Sequence, residues 1–173
     1  MAVGNLEFIK SVSSTSSVTN VSITDCFSAD YDVYFLTCAD LDIGGAGGEP
    51  INVRFINSGG SVISSAEYDY AQLQLRYASA YTEARGTAQT SILYGLGYST
   101  DVNLGAMGAI AYIYNPYDSS SYTFLQGQQV TDSGADGSKQ IGVHKSAEQL
   151  SGVNIFVTNG TIERLSASIY GVK

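Results

Sequence analysis

Two runs near the end of the chain show the clearest alternation of apolar and polar positions. In the run 150–157, apolar residues occupy every second position from Val153 onward, and in the run 165–172 they do so from Leu165 onward. A period of two is typical of strands with one buried face. An unpaired strand of this composition would promote aggregation, so we expect the last strand to be paired inside a sheet. Ile169 on that strand should then be a core residue.

Similar alternation predicts strands along the rest of the chain. They span residues 6–10, 18–24, 31–41, 51–56, 61–65, 91–96, 108–114, 122–130 and 139–145. Segments rich in glycine, serine or aspartate predict the turns and loops at 44–48, 57–60, 95–103 and 131–138. The run 31–41 is apolar on both faces, which places it centrally in its sheet, with Leu41 on the same face as Phe35. The region 67–85 mixes helical and alternating spacing, and we predict a helical turn over 66–71 followed by a strand.

These elements indicate an all-β fold. About nine or ten strands with no convincing long helix are typical of an antiparallel β-sandwich or jelly roll. A chain of 173 residues suits one domain, 1–173, in which residues 1–17 could form an extended N-terminal strand or arm. A domain of this size buries roughly 70% of the surface that its unfolded chain exposes, which is enough for a core without disulfides.

Charge and cysteine usage exclude several classes of protein. The net charge is −8, and the 8 lysines and arginines do not cluster, which argues against nucleic-acid binding. No secretion signal follows Met1 and no run approaches the roughly 20 apolar residues of a membrane span, so we expect assembly in a cytoplasm. Cys26 and Cys38 lie out of register around a turn at 28–30. We expect both thiols to be reduced, with a disulfide as the alternative.

The single histidine limits the chemistry that the chain can perform. Any Ser-His-Asp or Cys-His arrangement must use His144. The segment 142–145 resembles the end of a strand, so we expect His144 at the surface or at an interface. A zinc site would need His144 to meet Cys26, Cys38 and a carboxylate, and their spacing matches no zinc pattern. We therefore predict no catalytic residue, no metal ligand and no cofactor, and hence no enzyme.

Two pairs of carboxylates remain to be weighed. Asp40 and Asp42 stand beside the glycine-rich loop and could hold a hard cation together with loop carbonyls. The further carboxylates of known calcium loops are missing, which favours a solvated loop. Glu67 and Asp69 could in principle act as a glycosidase pair, but nothing distinguishes them from the other acidic residues.

The tyrosines carry more information than the carboxylates. Tyr112 and Tyr114 face away from the small apolar residues of their predicted strand, and Tyr117 and Tyr122 follow closely. Tyrosine is enriched at protein interfaces and in sugar sites because it offers a large amphipathic surface at low entropic cost. These four residues are our interface candidates, although the rings could simply cap the core. Sugar platforms usually feature tryptophan, which this chain lacks, so a protein contact is favoured.

Five segments carry a resemblance to a known family. They are Ile155-Phe-Val-Thr-Asn-Gly-Thr-Ile162, Ser166-Ala-Ser-Ile-Tyr-Gly171, Leu6-Glu-Phe-Ile-Lys-Ser11, Tyr31-Asp-Val-Tyr-Phe35 and Ala111-Tyr-Ile-Tyr-Asn-Pro116. In these segments, and in their order along the chain, the protein resembles small all-β virion structural proteins of tailed bacteriophages. These proteins are common in marine and cyanobacterial phages and related prophages. The resemblance covers nearly the whole chain but is not specific for one role.

The resemblance implies a non-enzymatic structural protein of the virion, assembled in the host cytoplasm. A capsid decoration (cement) protein leads, because a fibre would need a long shaft and only residues 6–17 could serve. The alternative is a tail-associated or receptor-binding tip or fibre subunit that recognises a host glycan, with the loops 43–50 and 131–138 as candidate sugar contacts. The implied partners are the major capsid protein or tail proteins, and further copies of the chain in a homo-oligomer. A carbohydrate-active enzyme is a third, disfavoured class.

Overall fold

The described part of the chain consists of strands and their connections, without a helix. The structure, a computed structural model, describes residues 5–45, 49–99, 107–131 and 136–173. Within these residues the strands are β1 Leu6–Ser14, β2 Asn20–Ile23, β3 Val33–Gly44, β4 Ile51–Asn57, β5 Tyr68–Leu75, β6 Thr82–Gln89, β7 Met107–Tyr114, β8 Thr123–Val130, β9 Gly137–His144, β10 Leu150–Val157 and β11 Thr161–Val172. No helix in the described ranges is long and apolar enough to cross a membrane.

The strands form two antiparallel sheets that make a β-sandwich. The large sheet has eight strands in the order β1-β11-β3-β7-β8-β9-β5-β6, and the small sheet has three in the order β2-β10-β4. Apolar side chains of both sheets form one buried cluster, to which Leu36 and Ile169 contribute from the large sheet and Val53 and Ile155 from the small one. The prediction of an all-β antiparallel sandwich is confirmed, with eleven strands in the described residues instead of nine or ten.

The C-terminal strand lies inside the large sheet, as its composition predicts. β11 pairs with β1 on one side and with β3 on the other, and Ile169 is fully buried between the sheets. The strand expected at 6–10 extends to Ser14 and forms the edge of this sheet as β1. The predicted central position of β3 is confirmed, because it lies between β11 and β7.

A β-bulge in β3 overturns the predicted position of Leu41. Leu36 and Cys38 point into the core, and the register with β7 then shifts between Cys38 and Leu41. Asp40 has a φ of 50°, a left-handed conformation that polar residues such as aspartate tolerate better than most. The extra residue brings Leu41 to the same buried face as Leu36. Strict alternation had placed Leu41 on the other face of the strand, with Phe35.

The middle of the chain contains the other errors of the sequence-based assignment. The predicted helical turn at 66–71 is wrong, because Tyr68 already begins β5. The predicted strand at 91–96 is also wrong: Ile92 and Leu96 are buried, but the segment turns between them. It contacts β4 through an isolated bridge to Val53 and two backbone hydrogen bonds to Ile51. Tyr94 has a φ of 60°, which interrupts an extended strand. The expected strand at 61–65 is reduced to one bridge. Of the predicted loops, residues 46–48, 100–103 and 132–135 lie outside the described residues.

His144 is buried inside the domain, contrary to the predicted position at the surface or at an interface. Along β9 the inward positions are Ser138, Gln140, Gly142 and His144. Because side chains alternate between the two faces of a strand, His144 at the end of β9 points towards the small sheet. The imidazole ring lies 4.9 Å from the ring of Tyr68, centroid to centroid.

Candidate functional site

The outer face of the large sheet carries a row of aromatic side chains. Phe8, Tyr170, Phe35 and Tyr112 are direct cross-strand neighbours on β1, β11, β3 and β7. We call these four residues the aromatic row. Successive ring centroids are 5.8, 6.5 and 4.9 Å apart, and the rings meet edge-on or tilted. Such pairs contribute about 0.5–1.5 kcal/mol each beyond the area that they bury, so the rings hold one another in place.

The aromatic row faces solvent because the small sheet packs on the opposite side of the large sheet. Phe8 is 58% exposed and Tyr112 is 38% exposed, whereas Leu36 and Ala111, one position away from Phe35 and Tyr112, are fully buried. Further apolar side chains on this face, Ile110, Phe124 and Ile141, are also exposed. A contiguous apolar surface of this kind is unusual on a monomer and typical of a binding site.

A shallow groove continues the row towards β6. The same cross-strand line runs on from Tyr112 through Gln126, Ile141 and Ala71 to Arg85. A groove of about 810 Å³ opens along these strands, and we call it the outer groove. Its outward-facing lining is Asp69, Ala71, Arg85, Tyr114, Phe124, Gln126, Ile141 and Val143. The lining is mainly apolar with a few polar groups, which is the usual make-up of a ligand site.

The two charged residues of the outer groove differ in their partners. Asp69 accepts a hydrogen bond from the backbone N–H of Ala88 at 2.8 Å, and one of its oxygens lies 2.9 Å from the Nζ of Lys145. The Lys145 ammonium and this N–H lower the pKa of Asp69, so the carboxylate is ionised and already paired. Arg85 has no hydrogen-bond or ion-pair partner among the described residues, and its guanidinium is available to a ligand.

The four predicted interface tyrosines do not form one cluster. Tyr112 and Tyr114 lie together on the outer face with ring centroids 6.4 Å apart, Tyr112 in the aromatic row and Tyr114 in the outer groove. Tyr117 is half-buried and packs against the core, as the alternative of a core-capping ring predicted for it. Tyr122 is 46% exposed and precedes β8, with no ring neighbour among the described residues.

Sequence reasoning missed three members of the row. Phe8, Phe35 and Tyr170 each occupy the polar or mixed face of a strand that the alternation predicted correctly. The available signal was their position: each is an aromatic residue at an outward-facing position of its strand. Aromatic residues at such positions on three separate strands indicate an exposed aromatic surface. Only the strand order, with β11 between β1 and β3, brings them side by side.

The remaining candidate residues are placed as follows. Cys26 and Cys38 are free thiols in the core, and burial raises the pKa of each to about 12, so neither is a reactive thiolate. Asp40 and Asp42 both face the guanidinium of Arg164, at 3.7 and 3.1 Å, which supplies them with a cation from the chain itself.

Glu67 and Asp69, which the sequence analysis disfavours as a glycosidase pair, have different partners in the structure. Asp69 is bound to Lys145, as described above. Glu67 instead points to the imidazole of His144, with Oε2 at 3.4 Å from Nε2. The two carboxylates therefore have separate partners, and the geometry offers no acid and base flanking one substrate bond.

Comparisons with known proteins add little to this geometry. No protein-family model matches the chain, and no curated protein matches it. Among solved structures, the chain is similar to a fructofuranosidase from Schwanniomyces occidentalis complexed with fructosylnystose, with 6% sequence identity and a TM-score of 0.34. That match covers 98% of this chain and 35% of the fructofuranosidase chain, so this chain spans about a third of that protein.

Proposed function

We propose that this chain is a non-enzymatic structural protein of a tailed-phage virion, and that it decorates the capsid by docking the outer face of its large sheet on the major capsid protein. The virion context comes from the sequence resemblance described above. The single observation that carries the docking mode is the solvent-facing aromatic row of Phe8, Tyr170, Phe35 and Tyr112.

The size and chemistry of this face suit a protein partner. Eight strands at ~4.8 Å spacing are about 34 Å wide, and strands of eight residues are about 24 Å long, which gives a face on the order of 800 Å². This is about the area that each partner buries in a standard protein interface. The aromatic row covers the half of this face from the edge strand β1 to β7, and the charged pair Asp69 and Lys145 lies towards the β6 side. Aromatic residues are enriched in the buried part of protein interfaces, and polar groups in the part that stays accessible to solvent.

The test is binding of the purified protein to capsids from which the decoration protein has been removed. Replacing Tyr112 and Tyr170 together by alanine should weaken binding at least tenfold, because aromatic residues at the centre of an interface often contribute about 2 kcal/mol or more each. The matched control is Tyr77→Ala with Tyr81→Ala, which removes two tyrosines that are 71% and 67% exposed between β5 and β6, outside the row. The control should bind as well as the original protein.

Equal weakening by both double variants would show that the aromatic row is not the docking surface. Sedimentation of the free protein separates docking from self-association, since the homo-oligomer expected from the sequence could also use this face. If the row variant converts an oligomer into a monomer and leaves capsid binding unchanged, the face joins copies of the chain and the docking proposal is wrong.

A second candidate function is supported by the outer groove. A receptor-binding tip that holds a host glycan needs a concave site with aromatic rings and polar groups, and the groove has Tyr114 and Phe124 beside Gln126 and Arg85. The loops 43–50 and 131–138, expected to bind sugar, are only partly within the described residues. Arg85→Ala separates the two functions, because it should abolish saturable binding to host cells if the groove binds a glycan and leave capsid binding intact if the row docks the protein.

A further inference from the structure

The only histidine of the chain lies in an unusual environment. The side chain of His144 is fully buried, and neither Nδ1 nor Nε2 has a hydrogen-bond partner among the described residues. A neutral imidazole carries one donor and one acceptor, and leaving a buried polar group without a partner destabilises the folded state. A native protein seldom retains such a group without a counterpart that satisfies it.

Two carboxylates face the Nε2 atom of this imidazole. Glu67 Oε2 lies 3.4 Å from it and Glu148 Oε1 lies 3.8 Å from it. One potential ligand atom from each of the three residues lies within 4.8 Å of the other two. Both distances are longer than a charge-assisted hydrogen bond of about 2.7–2.9 Å, so neither carboxylate makes a short direct bond to the imidazole.

The spacing agrees with that of ligands around a zinc ion. Zinc binds imidazole nitrogen and carboxylate oxygen at ~2.0–2.2 Å, and in a tetrahedron such ligand atoms are roughly 3.3–3.6 Å apart. The separations of Nε2 from the Glu67 and Glu148 oxygens are close to this range. We propose that His144, Glu67 and Glu148 form a binding site for a divalent transition-metal ion, with zinc as the best match.

Charge and access are compatible with this assignment. A neutral imidazole with two carboxylates carries a charge of −2, which a divalent cation neutralises, and imidazole selects transition metals over calcium and magnesium. The side chains of Glu67 and Glu148 are 41% and 33% exposed, whereas that of His144 is fully buried. The ion can therefore enter from solvent, and a water molecule can occupy the fourth position.

The surrounding structure holds the ligands in place. Ser65 donates a hydrogen bond from Oγ to Glu67 Oε2 at 2.6 Å, and the backbone N–H of Lys145 donates to the carbonyl of Glu67 at 2.8 Å. Bonds of this kind orient metal ligands in known sites. Glu67 precedes β5, His144 ends β9 and Glu148 precedes β10, so the ion would connect the large sheet to the small one. The role that follows is structural.

The test uses the full chain after removal of metal with a chelator. Zinc should bind with one ion per chain in a competition titration against a chromophoric chelator. At a hundredfold excess over its Kd it should raise the Tm by about 5–10 °C, because binding to the folded state alone stabilises it. Because the chain has one histidine, its imidazole ¹⁵N resonances are unambiguous, and zinc should shift the resonance of the ligating nitrogen. Calcium and magnesium should produce neither effect.

Glu67→Gln and Glu148→Gln test the ligand set without emptying the core. Each should weaken zinc binding at least tenfold, while Glu7→Gln, which changes a 52% exposed carboxylate on β1, should leave it unchanged. The proposal is overturned if zinc leaves the histidine resonances and the Tm unchanged. It is also overturned if Glu7→Gln weakens binding as much as the two site variants, because the ion would then bind to the acidic surface in general.

Discussion

The buried face of the large sheet differs between its two halves. On β11, β3 and β7 it is apolar, with Ile169, Leu36 and Ala111 all fully buried. On β8, β9 and β5 the buried positions include Gln129, Ser138, Gln140 and Gln72, none more than 4% exposed. One sheet therefore combines a conventional apolar core with a buried polar layer.

The backbone lying over the polar half explains the difference. Gln129 and Gln140 contact the turn segment 91–98: Gln129 donates from Nε2 to the carbonyl of Tyr98 at 2.9 Å and accepts from its N–H at 3.2 Å. Gln140 donates to the carbonyl of Gly95 at 3.4 Å. A strand satisfies its own backbone groups through its sheet, whereas a buried turn segment needs side chains to do so. A sheet covered by a loop therefore requires polar residues where a sheet covered by strands requires apolar ones.

The largest effect is expected in the apolar half. Ile169→Asp places an unpaired charge where the side chain is fully buried between apolar neighbours, which should cost several kcal/mol and leave the chain unfolded or insoluble. Circular dichroism and the soluble fraction after expression measure this. Ser166→Asp is the control, since Ser166 is exposed on the same strand and should tolerate the charge. If both variants fold with the same Tm, the apolar half does not hold the sandwich together.

A smaller effect is expected where the turn segment meets β9. A Cβ on Gly142 would collide with Cγ2 of Ile92, whose side chain is fully buried. Gly142→Ala should therefore cost about 1–3 kcal/mol, the usual penalty of an overpacked core. Urea denaturation measures the loss.

Gly108→Ala is the matched control for this close approach. Gly108 is also in a strand of the large sheet, but within the described ranges a Cβ there would meet nothing nearer than the carbonyl oxygen of Cys38 at 3.9 Å. The substitution should change the free energy of unfolding by less than about 0.5 kcal/mol. Equal costs at the two glycines would mean that the 91–98 segment does not press on β9.

Alternation predicts strands in both halves of the large sheet, and it fails where a segment covers the sheet without joining it. The bounds of β7 and β8 in the large sheet and of β10 in the small sheet were predicted within a few residues, because each strand of a two-layer sandwich has one face on the core. The pattern fails at 91–96, where Ile92 and Leu96 are apolar because they cover the sheet and not because they belong to it. It also fails at His144, which shares the buried face of β9 with Ser138 and Gln140. Because those two residues are polar, the sequence gives no sign that this face is buried. The aromatic row depends on strand order, which no local pattern carries.

The smallest effect, of opposite sign, is expected at Gln72. Its side chain is 4% exposed, and its Nε2 has no hydrogen-bond partner among the described residues, although its Oε1 accepts from Gln74 at 3.5 Å. Gln72→Leu replaces an unsatisfied donor by an apolar group of similar volume and should be neutral or stabilising by up to about 1 kcal/mol.

Gln140→Leu is the comparison, because it removes the partner of the Gly95 carbonyl and of the Ser138 hydroxyl and should cost about 1–3 kcal/mol. Urea denaturation at matched m-values measures both differences. If Gln72→Leu lowers the free energy of unfolding as much as Gln140→Leu does, the Gln72 side chain is fully hydrogen-bonded and the buried polar layer has no unsatisfied donor at this position.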